Sequence, residues 1–168
     1  MSNYQTSKDQ VQTKDEKIKQ LVTFVLADEK YGIDIMQTQE IIKMERLTPI
    51  PNALEFVEGV INLRGNVIPI IDLKKRFNLI GGEEKSKGII VVRLSDMVIG
   101  VMIDGVSKVM SIPSSQIQPP PPVVTGIGRE YITGVGKDSD GNLLIILDIN
   151  KLLSYEEIEK IRENPSNT

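Results

Sequence analysis

Short apolar runs, broken by Gly, Pro or charged turns, recur along most of the chain. Leu21 to Ala27 is rich in β-formers and predicts a strand; Asp28-Glu29-Lys30 is its turn and Tyr31 to Ile35 the return strand. Thr38 to Met44 mixes polar and apolar residues in a way that predicts a short helix or turn. Pro49 and Pro51 then stop regular structure. Asn52 with Glu55 three residues later resembles a capping box and predicts a helical turn over 53–57. Val60 to Leu63 and Val67 to Ile71 flank Arg64-Gly65-Asn66, a hairpin with a glycine-containing turn. Val67 to Ile71 is apolar at every position, which predicts a strand buried on both faces or lying between two layers. Pro69 cannot donate to a ladder, so one side of that strand is unpaired there. Asp72 stands at a helix N-cap before Leu73 to Asn78, and Gly81 to Lys87 is a polar linker. Strands follow at 89–94 and 97–103, with a third extended segment over 106–112. The four prolines Pro119 to Pro122 are locally stiff and extended. A hairpin about Asp140-Gly141 comes next, then Asp148 as an N-cap. Ser154 and Glu157 form a capping box for a last helix, with Ile158 and Ile161 on one face.

The pattern is written twice. Residues 56–73 read FVEGVINLRGNVIPIIDL and residues 131–149 read YITGVGKDSDGNLLIILDI. Phe56 and Tyr131, Gly59 and Gly134, and Val60 and Val135 are each 75 apart. Gly65 and Gly141, Asn66 and Asn142, and Asp72 and Asp148 are each 76 apart, so the second turn holds one extra residue. A fainter pair, 21–35 and 89–103, shares Gly32 and Gly100 inside apolar strands. A period this long implies two similar units, not a solenoid of short repeats. Duplicated short strands with Gly and Pro turns predict a mainly β chain: two small antiparallel barrels or sandwiches packed together.

Composition narrows the function. Hydrophobic residues make up 40 % of the 168 and aromatic residues only 4 %, so aliphatic side chains fill the core. A net charge of −3, three Phe, four Tyr and no Trp argue against a nucleic-acid groove, which wants basic residues interleaved with aromatics. No apolar stretch reaches the ~18–20 residues of a membrane span. The polar start, MSNYQTSKDQVQTKDEK, is no signal peptide and predicts a disordered tail over 1–17. The chain has no Cys and no His, which removes disulfides, thiolate sites and the Ser–His and Cys–His nucleophile pairs, and leaves zinc without its usual ligands. No cofactor or metal is expected.

Two aspartates in duplicated β-units bring an aspartic-protease-type hydrolase to mind, with Asp72 and Asp148 sharing a proton. Asp72 is followed by Leu-Lys and Asp148 by Ile-Asn, so the Asp-Thr/Ser-Gly turn of those enzymes is missing. Two N-caps are the better reading. Asp138-Ser139-Asp140-Gly141 lacks the spacing and the twelfth-position Glu of a calcium loop. What remains is a surface for proteins. Arg64 stands at a hairpin tip between apolar strands, where the second copy has Ser139 or Asp140, and Arg is enriched at interface anchors.

The 56–73 segment, preceded by TQEII (38–42) and TPIP (48–51) and followed by PPPPVVTGIGREYITGVG (119–136), resembles the CheW-like domain family of bacterial chemotaxis coupling proteins. The likeness covers about 21–153. It implies two five-stranded SH3-like β-barrels packed through a shared hydrophobic core, with short helices and a C-terminal helix. The expected layout is one such domain over 18–155, with subdomains near 18–80 and 88–153 and strand exchange between them left open, a helix over 154–163 and a tail over 164–168. The resemblance implies a non-enzymatic, cytoplasmic signal-transduction adaptor. It would join the helical cytoplasmic tip of a chemoreceptor (methyl-accepting chemotaxis protein) to the regulatory domain of the histidine kinase CheA in arrays at the inner face of the membrane. Neither nucleic-acid binding nor direct membrane insertion is implied. The receptor helix would lie in the groove between barrels, facing Gly59, Asn62, Leu63 and Arg64 with Thr38 and Glu40. Thr38 stands where an aliphatic residue is common in the family. Kinase contacts are expected at exposed apolar residues near Ile42, Met44 and Leu47.

Overall fold

The computed structural model describes residues 17–82, 86, 88–105, 108–121 and 127–163. Residues 1–16 and 164–168 of the expected tails, and Pro122 of the four prolines, lie outside the described residues. Ten strands follow one another: β1 (Ile18–Leu26), β2 (Glu29–Asp34), β3 (Thr38–Lys43), β4 (Val57–Leu63), β5 (Asn66–Asp72), β6 (Gly88–Leu94), β7 (Met97–Ile103), β8 (Lys108–Pro113), β9 (Ile132–Lys137) and β10 (Leu143–Leu147). Helix α1 (Leu73–Phe77) follows β5 and α2 (Tyr155–Glu163) closes the described chain.

The strands form two five-stranded sheets, ordered β8-β1-β2-β10-β9 and β3-β6-β7-β5-β4. In terms of the repeat, β1–β5 correspond to β6–β10, and both sheets have the same order. The copies have exchanged their first hairpins: β1–β2 lies with β8–β10, and β6–β7 lies with β3–β5. Each sheet therefore draws strands from both copies, and neither coincides with the 18–80 or 88–153 half. Residues 38–103 supply one sheet without interruption, and the two ends of the chain supply the other.

Both sheets close in the same way. The chain leaving β3 turns back at Thr48, whose N–H and carbonyl exchange hydrogen bonds of 2.9 Å with Val60 of the opposite edge strand. The chain leaving β8 does this at Gln118, bonded to Val135 at 2.8 and 2.9 Å. These contacts explain the repeated glycines beside them. A Cβ on Gly59 would stand 2.5 Å from the Thr48 carbonyl oxygen, and one on Gly134 2.9 Å from that of Gln118.

Period-2 alternation sends neighbouring side chains to different cores. Ile68 and Ile70 of β5, with Ile89 and Val91 of β6, fill the inside of one barrel. Leu144 and Ile146 of β10, with Leu21 and Ile112, fill the other. Ile71, Ile90, Val92, Ile145 and Leu147 point the opposite way, into a larger core shared by the two sheets. From Ile68 to Ile71 the apolar run is thus a strand between two packed layers, while Val67 at its start is exposed, and it pairs with β7 from Ile70, just past Pro69.

Two local expectations are corrected. Thr38 to Met44 is neither helix nor turn: Thr38–Lys43 is β3, following a 3₁₀ turn over Ile35–Gln37. Its burial alternates residue by residue, and pairing with β6 overrides a weak local preference. Over 53–57 no helix forms, and only one hydrogen-bonded turn closes, from Val57 N–H to the Leu54 carbonyl at 2.9 Å. Asn52 has φ +58°, whereas an N-cap needs extended backbone, and β4 has already begun at Val57. The other caps form. Asp72 accepts from the N–H groups of Lys74 and Lys75, at 2.9 and 3.3 Å. Asp148 accepts from Asn150 N–H at 3.0 Å, and Ser154 and Glu157 cap each other at 2.8 and 3.1 Å.

One ion pair ties the β9–β10 turn to β2. The Asp138 carboxylate accepts from the Lys30 ammonium and from the N–H groups of Asp140 and Asn142, at 2.9 and 2.8 Å. The Lys30 bond is the main reason its pKa falls from 3.8 to about 2; the two backbone donors add to this and burial opposes it. A depressed carboxylate stabilises the fold above its unfolded pKa, and that contribution is lost as pH falls from near 4 through 2. Carbon-13 NMR titration is expected to find Asp138 titrating near 2, and to find it back toward 3.8 in Lys30→Met.

Candidate groove at the β4–β5 turn

The β4–β5 hairpin turns on Arg64 and Gly65, with φ of +50° and +87°. Left-handed backbone at both central residues matches the right-handed twist of the strands it joins. The Asn62 side-chain oxygen accepts from Gly65 N–H at 2.9 Å and holds the turn. Arg64 consequently projects from the tip, with its side chain 70 % exposed. Both terminal nitrogens of its guanidinium donate to the Glu40 carboxylate, Nη1 to Oε2 at 3.3 Å and Nη2 to Oε1. Glu40 raises the Arg64 pKa further, so the guanidinium stays protonated at any physiological pH, matched by the carboxylate it is paired with.

Glu40 reaches Arg64 from β3, the edge strand that sheet closure brings to β4, beside a register shift against β6 between Thr38 and Glu40. Such a bulge re-aims side chains. Thr38 is half-buried, its hydroxyl donating to the Asp34 carbonyl at 3.3 Å. Leu63 is half-buried and packs on the barrel interior. Arg64, Asn62, Leu63 and Glu40 are thus brought together. Gly59 is not among them: it is buried under Thr48, where it serves closure. Ile42, Met44 and Leu47 are only partly buried, yet they pack against the interior of the barrel. The exposed apolar side chain of that stretch is Ile41, 44 % accessible.

Beside the turn lies a groove of about 490 Å³. Leu63, Val67, Pro69, Met97 and Val98 give it an apolar lining, and Gln39, Arg64, Asn66, Asp96 and Arg162 a polar one. Asp96 sits in the β6–β7 turn and is paired with Arg162 of α2. No sequence motif marks these two, which are 66 residues apart; only the placement of α2 unites them.

The family model for the CheW-like domain matches residues 20–157. This chain belongs to the CheW-like domain family. Chemotaxis protein CheW of Treponema pallidum is 45 % identical over 147 residues, covering 84 % of this chain and 86 % of that one. Chemotaxis protein CheW of Klebsiella aerogenes is 41 % identical over 140 residues, covering 83 % and 84 %. A crystal structure of scaffolding protein TtCheW from Thermoanaerobacter tengcongensis superposes with a TM-score of 0.74 at 40 % identity, covering 84 % of this chain and 91 % of that one. Membership in this family makes the chain a chemotaxis scaffold and not an enzyme. Asp72 and Asp148 each cap the start of a different helical segment. Among the described residues no group of acidic side chains could hold a metal ion, and no helix is long and apolar enough to cross a membrane.

Proposed function

We propose that this chain couples the helical cytoplasmic tip of a chemoreceptor to the regulatory domain of the histidine kinase CheA, as an adaptor recruited to receptor arrays at the inner face of the membrane. The observation that carries this reading is the family match over residues 20–157. The receptor helix, which the family resemblance puts in the groove between the barrels, is placed here along the groove beside the β4–β5 turn, lined by strands of one sheet and by Arg162 of α2. Arg64 meets a receptor carboxylate there, since a planar guanidinium binds a carboxylate through two parallel bonds and so sets register as well as affinity. Glu40 holds that guanidinium in place until the partner arrives, and an exposed ion pair of this kind exchanges easily. Thr38, Asn62 and Leu63 flank the contact. The kinase domain docks on the outer side of β3, where Ile41 is the accessible apolar side chain, while Ile42, Met44 and Leu47 support that stretch from the barrel side. Signal transfer needs no chemistry in the adaptor: a receptor movement biases how the kinase domain docks.

Co-sedimentation with receptor-containing membranes and the cognate kinase tests this, with kinase autophosphorylation read in parallel. Arg64→Glu is expected to stay folded and to lose tenfold or more in receptor affinity, the scale of a lost charged contact. Equal sedimentation of Arg64→Glu and wild type would make Arg64 a solvated turn residue. Failure of wild type to join a proven receptor–kinase pair would overturn the coupling role.

A further inference from the structure

We propose that the β1–β2 hairpin is exchangeable, and that two copies of this chain form a dimer in which each hairpin completes the other copy's sheet.

The sheet ordered β8-β1-β2-β10-β9 is assembled from distant parts of the chain. The hairpin lies between β8 and β10, antiparallel to the first and parallel to the second, so its removal leaves two open strand edges. Leu21, Val22, Phe24, Leu26, Tyr31 and Ile33 of the hairpin are each at most 2 % exposed. A vacated sheet therefore needs both the hydrogen bonds and the apolar side chains of this hairpin. An identical hairpin from a second molecule supplies all of them in the same register. The polar anchors go with it: Lys30 to Asp138, and the Ala27 N–H to the Asp104 carboxylate at 2.9 Å.

The duplication shows that such a slot accepts a hairpin from another copy. β6–β7, the counterpart of β1–β2, fills the same place in the β3-β6-β7-β5-β4 sheet, and each hairpin sits with the strands of the copy to which it does not belong. Within one chain the two copies have already traded hairpins, and a dimer repeats the trade between chains.

The hinge is short and can straighten. Among the described residues, the hairpin joins the rest of the chain through Ile35–Gln37. That turn is held by Asp34, which accepts from Met36 N–H at 2.9 Å, and by the Thr38 N–H on the Ile35 carbonyl. Thr38 is already extended, Met36 is 87 % exposed, and neither Gly nor Pro stands in the hinge. Straightening it loses these local bonds and leaves every contact of the hairpin itself to be remade. So many buried side chains cannot leave a folded molecule without unfolding it, so exchange accompanies refolding at high protein concentration.

The chain has no Cys, so Gln20→Cys and Ser111→Cys each carry one thiol. The two positions are exposed and face each other across β1 and β8. An equimolar mixture of the two full-length variants is unfolded in urea, refolded together at high concentration and oxidised, and the dimer fraction from size exclusion is mapped by peptide mass. Only paired strands hold the two thiols within disulfide reach, so 20–111 cross-links are expected to exceed 20–20 and 111–111 cross-links about tenfold. They are expected to vanish when the variants are refolded apart and then mixed. Deletion of Met36 shortens the hinge and is expected to shift the otherwise unaltered protein from monomer to dimer. Two glycines inserted at the same point are expected to restore the monomer. Co-refolding without a dimer, or cross-links in random proportion, would overturn the proposal. So would a folded monomer after the deletion, or loss of the fold without a dimer. None of these outcomes depends on the receptor or the kinase.

Discussion

Arg76→Ala is expected to lower the free energy of unfolding by about 3 kcal/mol. Arg76 sits near the end of α1, where the two copies of the repeat meet. Its guanidinium carbon lies 5.0 Å from the centre of the Phe56 ring and 5.1 Å from that of Tyr131, the two aromatics that correspond in the repeat. Nε donates to the Leu152 carbonyl at 2.8 Å, and Leu152 is its own counterpart, 76 residues on. Nη2 donates to Glu157 at 3.1 Å, the same carboxylate that caps α2. One side chain thus joins both aromatics, the second copy's backbone and the last helix. Each ring contact is worth roughly 0.5–2 kcal/mol at this partial burial. Truncation would also strip the Leu152 carbonyl of its donor. Arg76→Lys keeps the charge but not the flat stacking surface, and is expected to recover less than half of the loss. Urea unfolding of the three proteins checks this. A loss below 1 kcal/mol for Arg76→Ala would mean that the shared apolar core, and not this clamp, holds the copies together.

The clamp shows which features the sequence displays and which it does not. Phe56 and Tyr131 stand out as a repeated pair, but nothing in the chain says that Arg76, absent from the second copy, fills the space between them. The same holds at larger scale. Gly59, Gly134, Asp72 and Asp148 disclose the duplication, because turns, caps and close approaches demand particular residues. The exchange of the β1–β2 and β6–β7 hairpins leaves no such mark: a strand's alternation records how many layers cover it, not which copy supplies its neighbour. β3 was legible as structured but not as a strand, since Thr38 to Lys43 gains its identity from β6 alongside it. At the groove, Arg64 is visible through the hairpin tip it occupies and Asn62 only through the family resemblance, whereas Asp96 and Arg162 meet only when α2 is docked.

Gly59→Ala is the other substitution with a large expected effect, and it separates folding from partner contact at a position that the family resemblance places on the receptor face. The added Cβ would lie 2.5 Å from the Thr48 carbonyl oxygen and 3.0 Å from its carbon. Both are backbone atoms, fixed by the two Thr48–Val60 hydrogen bonds, so neither can swing aside as a side chain does. Relief requires opening the bridge, at a cost of about 2–3 kcal/mol. Gly134→Ala meets the Gln118 carbonyl oxygen at 2.9 Å and an Ile117 methyl at 2.7 Å. The methyl can move, so a smaller loss is expected there. Gly65→Ala meets nothing within 4 Å and suffers only its φ of +87°, about 1 kcal/mol. The expected order of destabilisation is therefore Gly59, Gly134, Gly65. Faster amide exchange at Thr48 and Val60 should accompany the first, because those N–H groups close the barrel. A Gly59→Ala protein as stable as wild type but unable to bind receptor would reverse this reading and return Gly59 to the partner surface.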